Sequence, residues 1–407
     1  MQRRSFIQLV GLNSLVAASA ACASRGEPAV SNVSPGAPAP PLGAPGTRSA
    51  SIRLSSNENS HGPGPKVLSA MSDGFGSVNR YSFGRAGQLA DALAASLGVS
   101  PDNLALGCGS TQVLDAVVSA SVAPDRALVT AVPTFELAAA RAQRLGAPVI
   151  EIRVDDALRL DLQQMAERAT GAGLVYVCNP NNPTGTLHDS AVIADFAAAV
   201  LRRAPRATVL IDEAYHEYIE RPEHTSAIAL ALENPQVVVA RTFSKIYGMA
   251  GLRVGYAVGR PEALRPLTAY LDGFSLSCLS ASAALTALAD SGRVTEQRQL
   301  NHAARAFTAD VFRAAGYAPV SSEANFLMVD VRRDIRVFQS GCRRRGVEIA
   351  RPFPPLLTHA RVSIGTMAEM EQAAAVFRDV LEEPPPATAQ LPPVTPYLPR
   401  RDGSWAC

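Results

Sequence analysis

The sequence predicts an α/β fold, with a large domain whose mostly parallel sheet is sandwiched by helices and a smaller α+β domain. Short β-branched runs alternate with Ala/Leu-rich helical stretches through the middle of the 407-residue chain, as expected for parallel strands joined by crossover helices. After about residue 275, helices dominate until the late runs NFLMVDV and ARVSIGT, which predict the strands of the smaller domain.

Each predicted strand of the large domain is a short apolar run, and each connection is long enough for a helix. In chain order the expected elements are ALVTAV, a helix from about Phe135, PVIEIRV, a helix through Met165, LVYVCN, a helix through Leu201, TVLIDEA, QVVVARTFS and VGYAV. Ligands of parallel sheets bind beyond the carboxyl ends of the strands. We therefore expect functional residues directly after these runs.

Composition argues against several classes of protein. With 38 Lys and Arg against 36 Asp and Glu, the net charge of +2 provides no strongly basic surface for nucleic acid. Six Cys are too sparse for a disulfide scaffold, and no CxxC pair or HExxH sequence offers a metal site. We therefore expect no bound metal. Hydrophobic residues make up 47% of the chain, so we expect a large buried core.

The N-terminal residues 1–23 have the character of a signal peptide. Arg3 and Arg4 precede a short apolar run that ends among small residues. The run RRSFIQ resembles the twin-arginine export signal, which implies a periplasmic or exported protein. A retained anchor and an ordinary basic leader are the alternatives. Lipidation of Cys22 is another, although Ser19 stands where a lipidation motif would have Leu.

The remaining domain boundaries follow changes in composition. Residues 24–50 are expected to form a Pro/Ala/Gly-rich linker. We predict an N-terminal arm of the small domain at 51–84, the large domain at 85–275, the small C-terminal domain at 276–383 and a Pro-rich tail at 384–407. No segment after the leader is expected to span a membrane.

Lys245 is the strongest candidate for a reactive group. It follows the apolar run QVVVARTFS, and burial lowers the pKa of an amine so that it can condense with a carbonyl. A surface lysine at a strand end is the alternative. Ser244 and Arg253 favour the reactive amine, because a hydroxyl and a guanidinium beside it suit a phosphate. A phosphate next to a Schiff-base lysine indicates pyridoxal 5'-phosphate, and Asp212 in TVLIDEA is placed to pair with its pyridinium nitrogen.

Nine segments in series resemble the motifs of one enzyme family. In chain order they are SNENSHGPGP, NRYSFG, GCGSTQ, PTFE, NPNNPTG, DEAYHEY, SKIYGMAGLRVGY, EANFL and RVSIGT. Over roughly residues 52–381 the chain is similar to the fold-type I pyridoxal-phosphate aminotransferases, and most similar to their histidinol-phosphate aminotransferase branch. The resemblance implies that an amino group moves between an amino acid or amine and a 2-oxo acid by a ping-pong route.

Residue by residue, the resemblance implies a cofactor site around Lys245, which bonds to the cofactor's aldehyde and then moves the substrate proton. Asp212 would pair with the pyridine nitrogen, and Asn182 and Tyr215 would hydrogen-bond the phenolic oxygen. The other implied contacts are phosphate binding by Gly109, Ser110, Thr111, Ser244 and Arg253, ring stacking by Phe135, and a contact of Tyr81 with the phosphate of a neighbouring subunit, which implies a homodimer. Taken singly, Ser110 could be a plain helix cap, Asn182 a turn residue, Phe135 a core residue and Tyr81 a surface aromatic.

Three residues are candidates for binding substrate. Arg361, in RVSIGT, matches the family's arginine for the substrate's carboxylate or phosphate, and Arg351 fits a second anion-binding arginine. His61 stands where the histidinol-phosphate branch usually has a tyrosine, and this departure weakens the assignment of that substrate. The run Arg343–Arg345 is expected to be a solvated helix face.

Two other functions stay open on the sequence alone. A decarboxylase of the same fold would use the same cofactor residues, because the substrate's anion contacts decide which bond at Cα breaks. An exported ligand-binding protein would keep the fold without the chemistry. Such a binder would have no need for Lys245 together with Asp212.

Overall fold

The computed structural model describes residues 51–271 and 275–384. The expected signal peptide, linker, Cys22 and nearly all of the Pro-rich tail lie outside these residues. The strands described are β1 (Ile52–Leu54), β2 (Leu104–Cys108), β3 (Ala127–Val132), β4 (Val149–Arg153), β5 (Ala172–Cys178), β6 (Thr208–Asp212), β7 (Val237–Thr242), β8 (Val254–Val258), β9 (Phe326–Asp330), β10 (Val347–Ile349) and β11 (His359–Ser363).

Helices connect and cover these strands. The α-helices described are α1 (Pro65–Gly74), α2 (Phe83–Leu97), α3 (Gly109–Ser121), α4 (Leu137–Arg144), α5 (Leu162–Glu167), α6 (Ser190–Arg203), α7 (Ile228–Glu233), α8 (Pro261–Leu264), α9 (Cys278–Ala289), α10 (Ser291–Ala314), α11 (Ile335–Arg344) and α12 (Met367–Glu382). None of the helices within residues 51–271 and 275–384 is both long and apolar enough to cross a membrane.

A seven-stranded sheet forms the centre of the larger part, in the order β2-β8-β7-β6-β5-β3-β4. All neighbours from β7 to β4 are parallel. Strand β8 runs antiparallel to both β7 and β2. The prediction of a mostly parallel α/β sheet is therefore confirmed. Strand β2 was not predicted from the sequence; its residues LALGC form a short run that ends in the glycine-containing turn.

The central strands are buried on both faces, which explains their nearly continuous apolar sequences. Every residue of β5 and of β7 is buried. Alternate residues of β5 enter two different cores: Val175 packs with Phe196 of α6 on one face, and Leu174 packs with Val117 of α3 on the other. Helices therefore cover the sheet on both sides, as the alternating sequence predicts.

A second core lies in the C-terminal part of the chain. Strands β9 and β11 pair antiparallel, and β1 pairs parallel with β10. The rings of Phe312 in α10 and Phe377 in α12 stack with centroids 5.3 Å apart. Leu54 of β1 is buried in the same core, so the N-terminal strand packs with the C-terminal helices. The domain boundaries at 84 and 275 stay predictions.

The sheet brings three predicted residues to the same edge. Asp212 is the last residue of β6. Asn182 and Lys245 lie in the loops that follow β5 and β7, the two parallel neighbours of β6. The carboxyl ends of adjacent parallel strands meet at one edge of a sheet, so the topology alone places these side chains near each other.

Candidate active site

A cavity of about 470 Å³ opens at this edge of the sheet. Eleven of the predicted residues line it: Ser110, Thr111, Phe135, Asn182, Asp212, Tyr215, Ser244, Lys245, Arg253, Arg351 and Arg361. Two larger open clefts, of about 790 and 820 Å³, contain none of these eleven residues. The sequence-predicted residues therefore converge on one concave site.

The Lys245 side chain extends into this cavity. Its Nζ donates to the carbonyl oxygen of Asn57 at 3.3 Å and lies 3.5 Å from that of Ser56. Burial, with a further contribution from the positive charge of Arg361, lowers the pKa of this amine to about 8. A lysine with such a pKa has far more of its neutral, nucleophilic form near pH 7 than an exposed lysine has.

Asp212 is a buried carboxyl group in the floor of the cavity, with 2% of its surface exposed. Its Oδ2 accepts a hydrogen bond from the hydroxyl of Tyr176 at 2.9 Å, and its Oδ1 accepts one from the N–H of Ala214 at 3.1 Å. Burial raises the pKa of Asp212 to about 6, and these donors oppose the rise. A cationic ring nitrogen beside Asp212 would favour the ionised form further.

Glu213 points away from the cavity, as the alternation of a strand requires. Its Oε2 accepts hydrogen bonds from the Nε and Nη2 atoms of Arg241 at 2.9 and 2.8 Å. Its Oε1 accepts from the N–H of Ala227 at 2.7 Å. The buried pair with Arg241 lowers the pKa of Glu213 against the effect of burial. We infer that Glu213 fixes the end of β6 and thereby the backbone of Asp212.

Hydroxyl and guanidinium groups form an anion-binding corner at one end of the cavity. Ser110 and Thr111 lie in the first turn of α3, where backbone N–H groups have no helical acceptor. Arg253 donates to Ser244 Oγ at 3.3 Å and to Thr111 Oγ1 at 3.2 Å. This set of donors around a helix N-terminus is suited to a phosphate.

Gly109 permits the close approach of Arg253 in this corner. Its backbone has φ +73°, a left-handed conformation that favours glycine. A Cβ atom at this position would lie 2.3 Å from Nη2 of Arg253. Gly109 does not line the cavity, and its contribution is to let the guanidinium lie against the start of α3.

Tyr215 and Asn182 lie on the walls near Lys245. The Tyr215 hydroxyl accepts a hydrogen bond from Nδ2 of Asn57 at 3.0 Å. Burial raises the pKa of Tyr215, so the hydroxyl stays protonated and can donate. Asn182 accepts from Arg361 through Oδ1 at 2.6 Å, which leaves its amide nitrogen as a donor.

On the opposite wall, the guanidinium groups of two arginines contact the ring of Phe353. The guanidinium carbons of Arg351 and Arg361 lie 4.5 and 4.7 Å from the ring centroid of Phe353. Arg351 also pairs with Glu136. Burial lowers the pKa of Arg361 to about 10, at which it is still charged at neutral pH. Arg361 therefore brings a positive charge into the cavity, whereas the charge of Arg351 is paired with that of Glu136.

The chain resembles known proteins in both sequence and fold. Residues 49–377 match the family model "Aminotransferase class I and II". The chain belongs to this family. It is 35% identical to the histidinol-phosphate aminotransferase of Moorella thermoacetica, over 81% of this chain and 85% of the relative. It is 37% identical to that of Symbiobacterium thermophilum, over 82% and 91%.

Solved structures support the same family for the fold. The crystal structure of histidinol-phosphate aminotransferase from Sinorhizobium meliloti in complex with pyridoxal-5'-phosphate superposes with a TM-score of 0.77. The two chains are 29% identical, and the match covers 82% of this aminotransferase and 90% of the other chain. The sequence-based assignment to a histidinol-phosphate-like branch of the pyridoxal-phosphate aminotransferases is confirmed.

Besides Gly109, two predicted residues of this aminotransferase lie outside the cavity, Tyr81 and His61. Tyr81 is 77% exposed and its ring lies 5.6 Å from that of Phe83. His61 is also exposed; its backbone N–H donates to the side chain of Asn59, and Arg293 donates to its carbonyl oxygen. The roles of Tyr81 at a partner's phosphate and of His61 at the substrate stay predictions.

The cavity lining includes polar residues that were not predicted from the sequence, among them Asn57, Cys178 and Thr242, and Tyr176 lies behind Asp212. Arg343 is exposed, as predicted, and it also lines the cavity mouth. Cys178 pairs directly with Asp212 across β5 and β6. Because strand residues alternate, the spacing of Tyr176 and Cys178 is a signal that places both on the face of Asp212.

Proposed function

We propose that this aminotransferase holds pyridoxal 5'-phosphate in the 470 Å³ cavity and transfers an amino group between an amino acid or amine and a 2-oxo acid. The observation that carries the proposal is that Lys245 and Asp212, 33 positions apart in the sequence, line one cavity together with the anion-binding corner. A carbonyl-reactive amine, a carboxylate and a phosphate site are the three groups that this cofactor needs.

The residues present fit the cofactor at each of its functional groups. Ser110, Thr111, Ser244 and Arg253 would bind its phosphate, Asp212 its ring nitrogen, and Asn182 and Tyr215 its phenolic oxygen, while Phe135 would contact the ring and Lys245 its aldehyde carbon. When bound, the cofactor supplies an electron-withdrawing ring that stabilises negative charge at the substrate's Cα.

The protein's own groups then bind the substrate and move its proton. The Nζ atom of Lys245 takes the proton from Cα and releases it again, a role for which a pKa of about 8 is well matched to neutral pH. Arg361 orients the substrate through its carboxylate or phosphate. Asp212 would pair its negative charge with the ring nitrogen and so favour the protonated form of that nitrogen.

The amino donor that we propose carries an anionic group and resembles histidinol phosphate. The support is the set of guanidinium groups of Arg361, Arg351 and Arg343 along the cavity, together with the names of the relatives. The test is a screen of amines and amino acids with 2-oxoglutarate and the purified, cofactor-loaded protein. Stoichiometric glutamate is the expected product. Release of carbon dioxide without a keto product would contradict transamination.

We also propose that the protein is a homodimer whose partner supplies Tyr81. The support is a set of exposed apolar side chains within residues 68–83, namely Leu68, Phe75, Val78, Tyr81 and Phe83, each between 55% and 77% exposed. Mixing the variants Lys245→Ala and Tyr81→Ala tests this: shared sites predict activity in hybrid dimers that neither parent has. A monomer by light scattering would contradict it.

Export through the twin-arginine route is proposed from the sequence of residues 1–23. A fusion of these residues to a reporter that works only after folded export should reach the periplasm, and changing Arg3 and Arg4 to Lys should retain it in the cytoplasm. Equal export of both fusions would contradict the twin-arginine route.

A further inference from the structure

Asn57 occupies an unusual position between β1 and α1. Its backbone has φ +54°, the left-handed region that few residues other than glycine adopt and that Asn tolerates best among them. It lines the cavity, yet it is only 1% exposed. A buried polar residue in such a conformation must be held by specific hydrogen bonds.

Two residues of the C-terminal core hold Asn57. Its N–H donates to Ser363 Oγ at 2.8 Å, and the same hydroxyl donates back to its Oδ1 at 2.8 Å. Nδ2 of Asn325 donates to its carbonyl oxygen at 3.0 Å. Ser363 ends β11, two residues after Arg361, and Asn325 precedes β9. Asn57 is therefore fixed to the strand that carries the substrate-binding arginine.

Its remaining contacts are with two residues proposed to act on the cofactor. Its carbonyl oxygen accepts from Lys245 Nζ at 3.3 Å, and its Nδ2 donates to the Tyr215 hydroxyl at 3.0 Å. An amide nitrogen cannot accept a hydrogen bond. The proton of the Tyr215 hydroxyl must therefore point away from Asn57, which leaves it available to donate into the cavity.

We propose that Asn57 is a positioning residue, which fixes the Tyr215 hydroxyl as a donor toward the cofactor's phenolic oxygen and seats the amine of Lys245. This inference rests on the proposed function. It gives the N-terminal arm a function at the active site that could not be predicted from the sequence motif SNENSHGPGP. It also connects the arm, β9 and β11 to the reacting lysine through one residue.

Two variants separate the side chain from the backbone. Asn57→Gly keeps the left-handed backbone and its carbonyl oxygen while deleting the donor to Tyr215. Asn57→Asp keeps the acceptor for Ser363 but presents an acceptor to Tyr215, whose proton would then turn away from the cofactor. Asn103→Asp is the matched control. The Asn103 side chain donates to the carbonyl oxygen of Gly259 and accepts from the N–H of Ser100, and it lies outside the cavity.

The main readout is the pH titration of the bound cofactor's visible absorbance. A donor to the phenolic oxygen stabilises the form that has lost its proton, so both Asn57 variants should raise the midpoint by about one pH unit. The control should titrate like the wild type. Lys245, Arg361, Asp212 and Cys178, the other groups facing Tyr215, are unchanged in Asn57→Gly.

A double-mutant cycle distinguishes positioning from general damage. If Asn57 acts through Tyr215, then Asn57→Gly should add little to the midpoint shift caused by Tyr215→Phe. Additive shifts, or Asn57 variants that titrate like the wild type, would overturn the proposal. If Asn57→Gly fails to fold, Asn57→Asp is used instead. Its new charge shifts the midpoint in either background, so a larger shift with Tyr215 present than with Tyr215→Phe supports the proposal and equal shifts overturn it. If no amino donor changes the cofactor absorbance of the wild-type protein, the proposed function is refuted. The Asn57 cycle can still be interpreted in that case, because it measures only the pH titration of the bound cofactor.

Discussion

Replacing Tyr176 by Phe removes the hydroxyl that donates to Oδ2 of Asp212 while leaving the buried ring in place. The carboxylate then keeps the weaker contact with the N–H of Ala214, at 3.1 Å. Tyr176 lies behind Asp212 and does not line the cavity. The substitution therefore changes the carboxylate's environment without removing a group that contacts the cofactor.

The size of the effect follows from the strength of the lost bond. A hydrogen bond to a charged group contributes about 1.5–3 kcal/mol, and about 1.4 kcal/mol corresponds to one pKa unit. The pKa of Asp212, about 6 with Tyr176 present, should therefore rise by roughly one to two units in the cofactor-free variant. At pH 7 the variant would hold a largely neutral acid, whereas the wild-type carboxyl group is mostly ionised.

Cofactor affinity measured as a function of pH is the assay. In the wild type, affinity for pyridoxal 5'-phosphate should fall as the pH drops through about 6, because protonated Asp212 no longer pairs with the ring cation. In Tyr176→Phe this fall should begin at a higher pH. Tyr317→Phe is the control, since Tyr317 is a partly buried tyrosine that packs against the second core and lies outside the cavity.

An unchanged pH profile in Tyr176→Phe would refute the reasoning. Equal losses of affinity at every pH would indicate a packing defect and would likewise contradict a specific effect on Asp212. Infrared or NMR titration of the carboxyl group in the cofactor-free protein gives the pKa directly and checks the cause.

Three further predictions concern the lysine, the phosphate corner and the support of β6. Lys245→Ala should lower turnover by roughly 10²–10⁴-fold or more without loss of fold, and in the wild type the rate of cofactor capture should rise with pH through about 8. Gly255→Ala should reduce cofactor affinity and the thermal midpoint, because its Cβ would lie 2.2 Å from the N atom of Ser110. Glu213→Gln should destabilise folding by about 1.5–3 kcal/mol in denaturant titrations, because Arg241 loses one of its two buried carboxylate partners and keeps only Glu217, at 3.3 Å; a change below about 1 kcal/mol would show that the pair is not required.

Much of the fold follows from local sequence patterns. The runs ALVTAV and VGYAV coincide with β3 and β8 in full, because a strand that is buried on both faces has a nearly continuous apolar sequence. The helix expected from about Phe135 begins at Leu137. The strands β1, β2 and β10 were not predicted: β1 and β10 have only three residues, and β2 is mostly half-buried and carries no β-branched residue.

The candidate site was predictable where chemistry demands a particular residue type. Lys245, Asp212 and Arg253 each combine a reactive or charged group with a strand end or a glycine-containing turn. Asn57 and Tyr176 were not predictable in this way, because their importance comes from partners 158 and 36 positions away in the chain. Only the folded geometry shows which amide or hydroxyl is directed at a reacting residue.

Borohydride reduction of the cofactor-loaded protein, followed by peptide mass spectrometry, is the most direct test of the proposed chemistry. Reduction makes the bond between the cofactor and its lysine permanent. We predict a single pyridoxyl-phosphate adduct, on the peptide that contains Lys245. An adduct on Lys66, or no adduct in protein that binds the cofactor, would contradict the assignment of Lys245 as the residue that bonds to it.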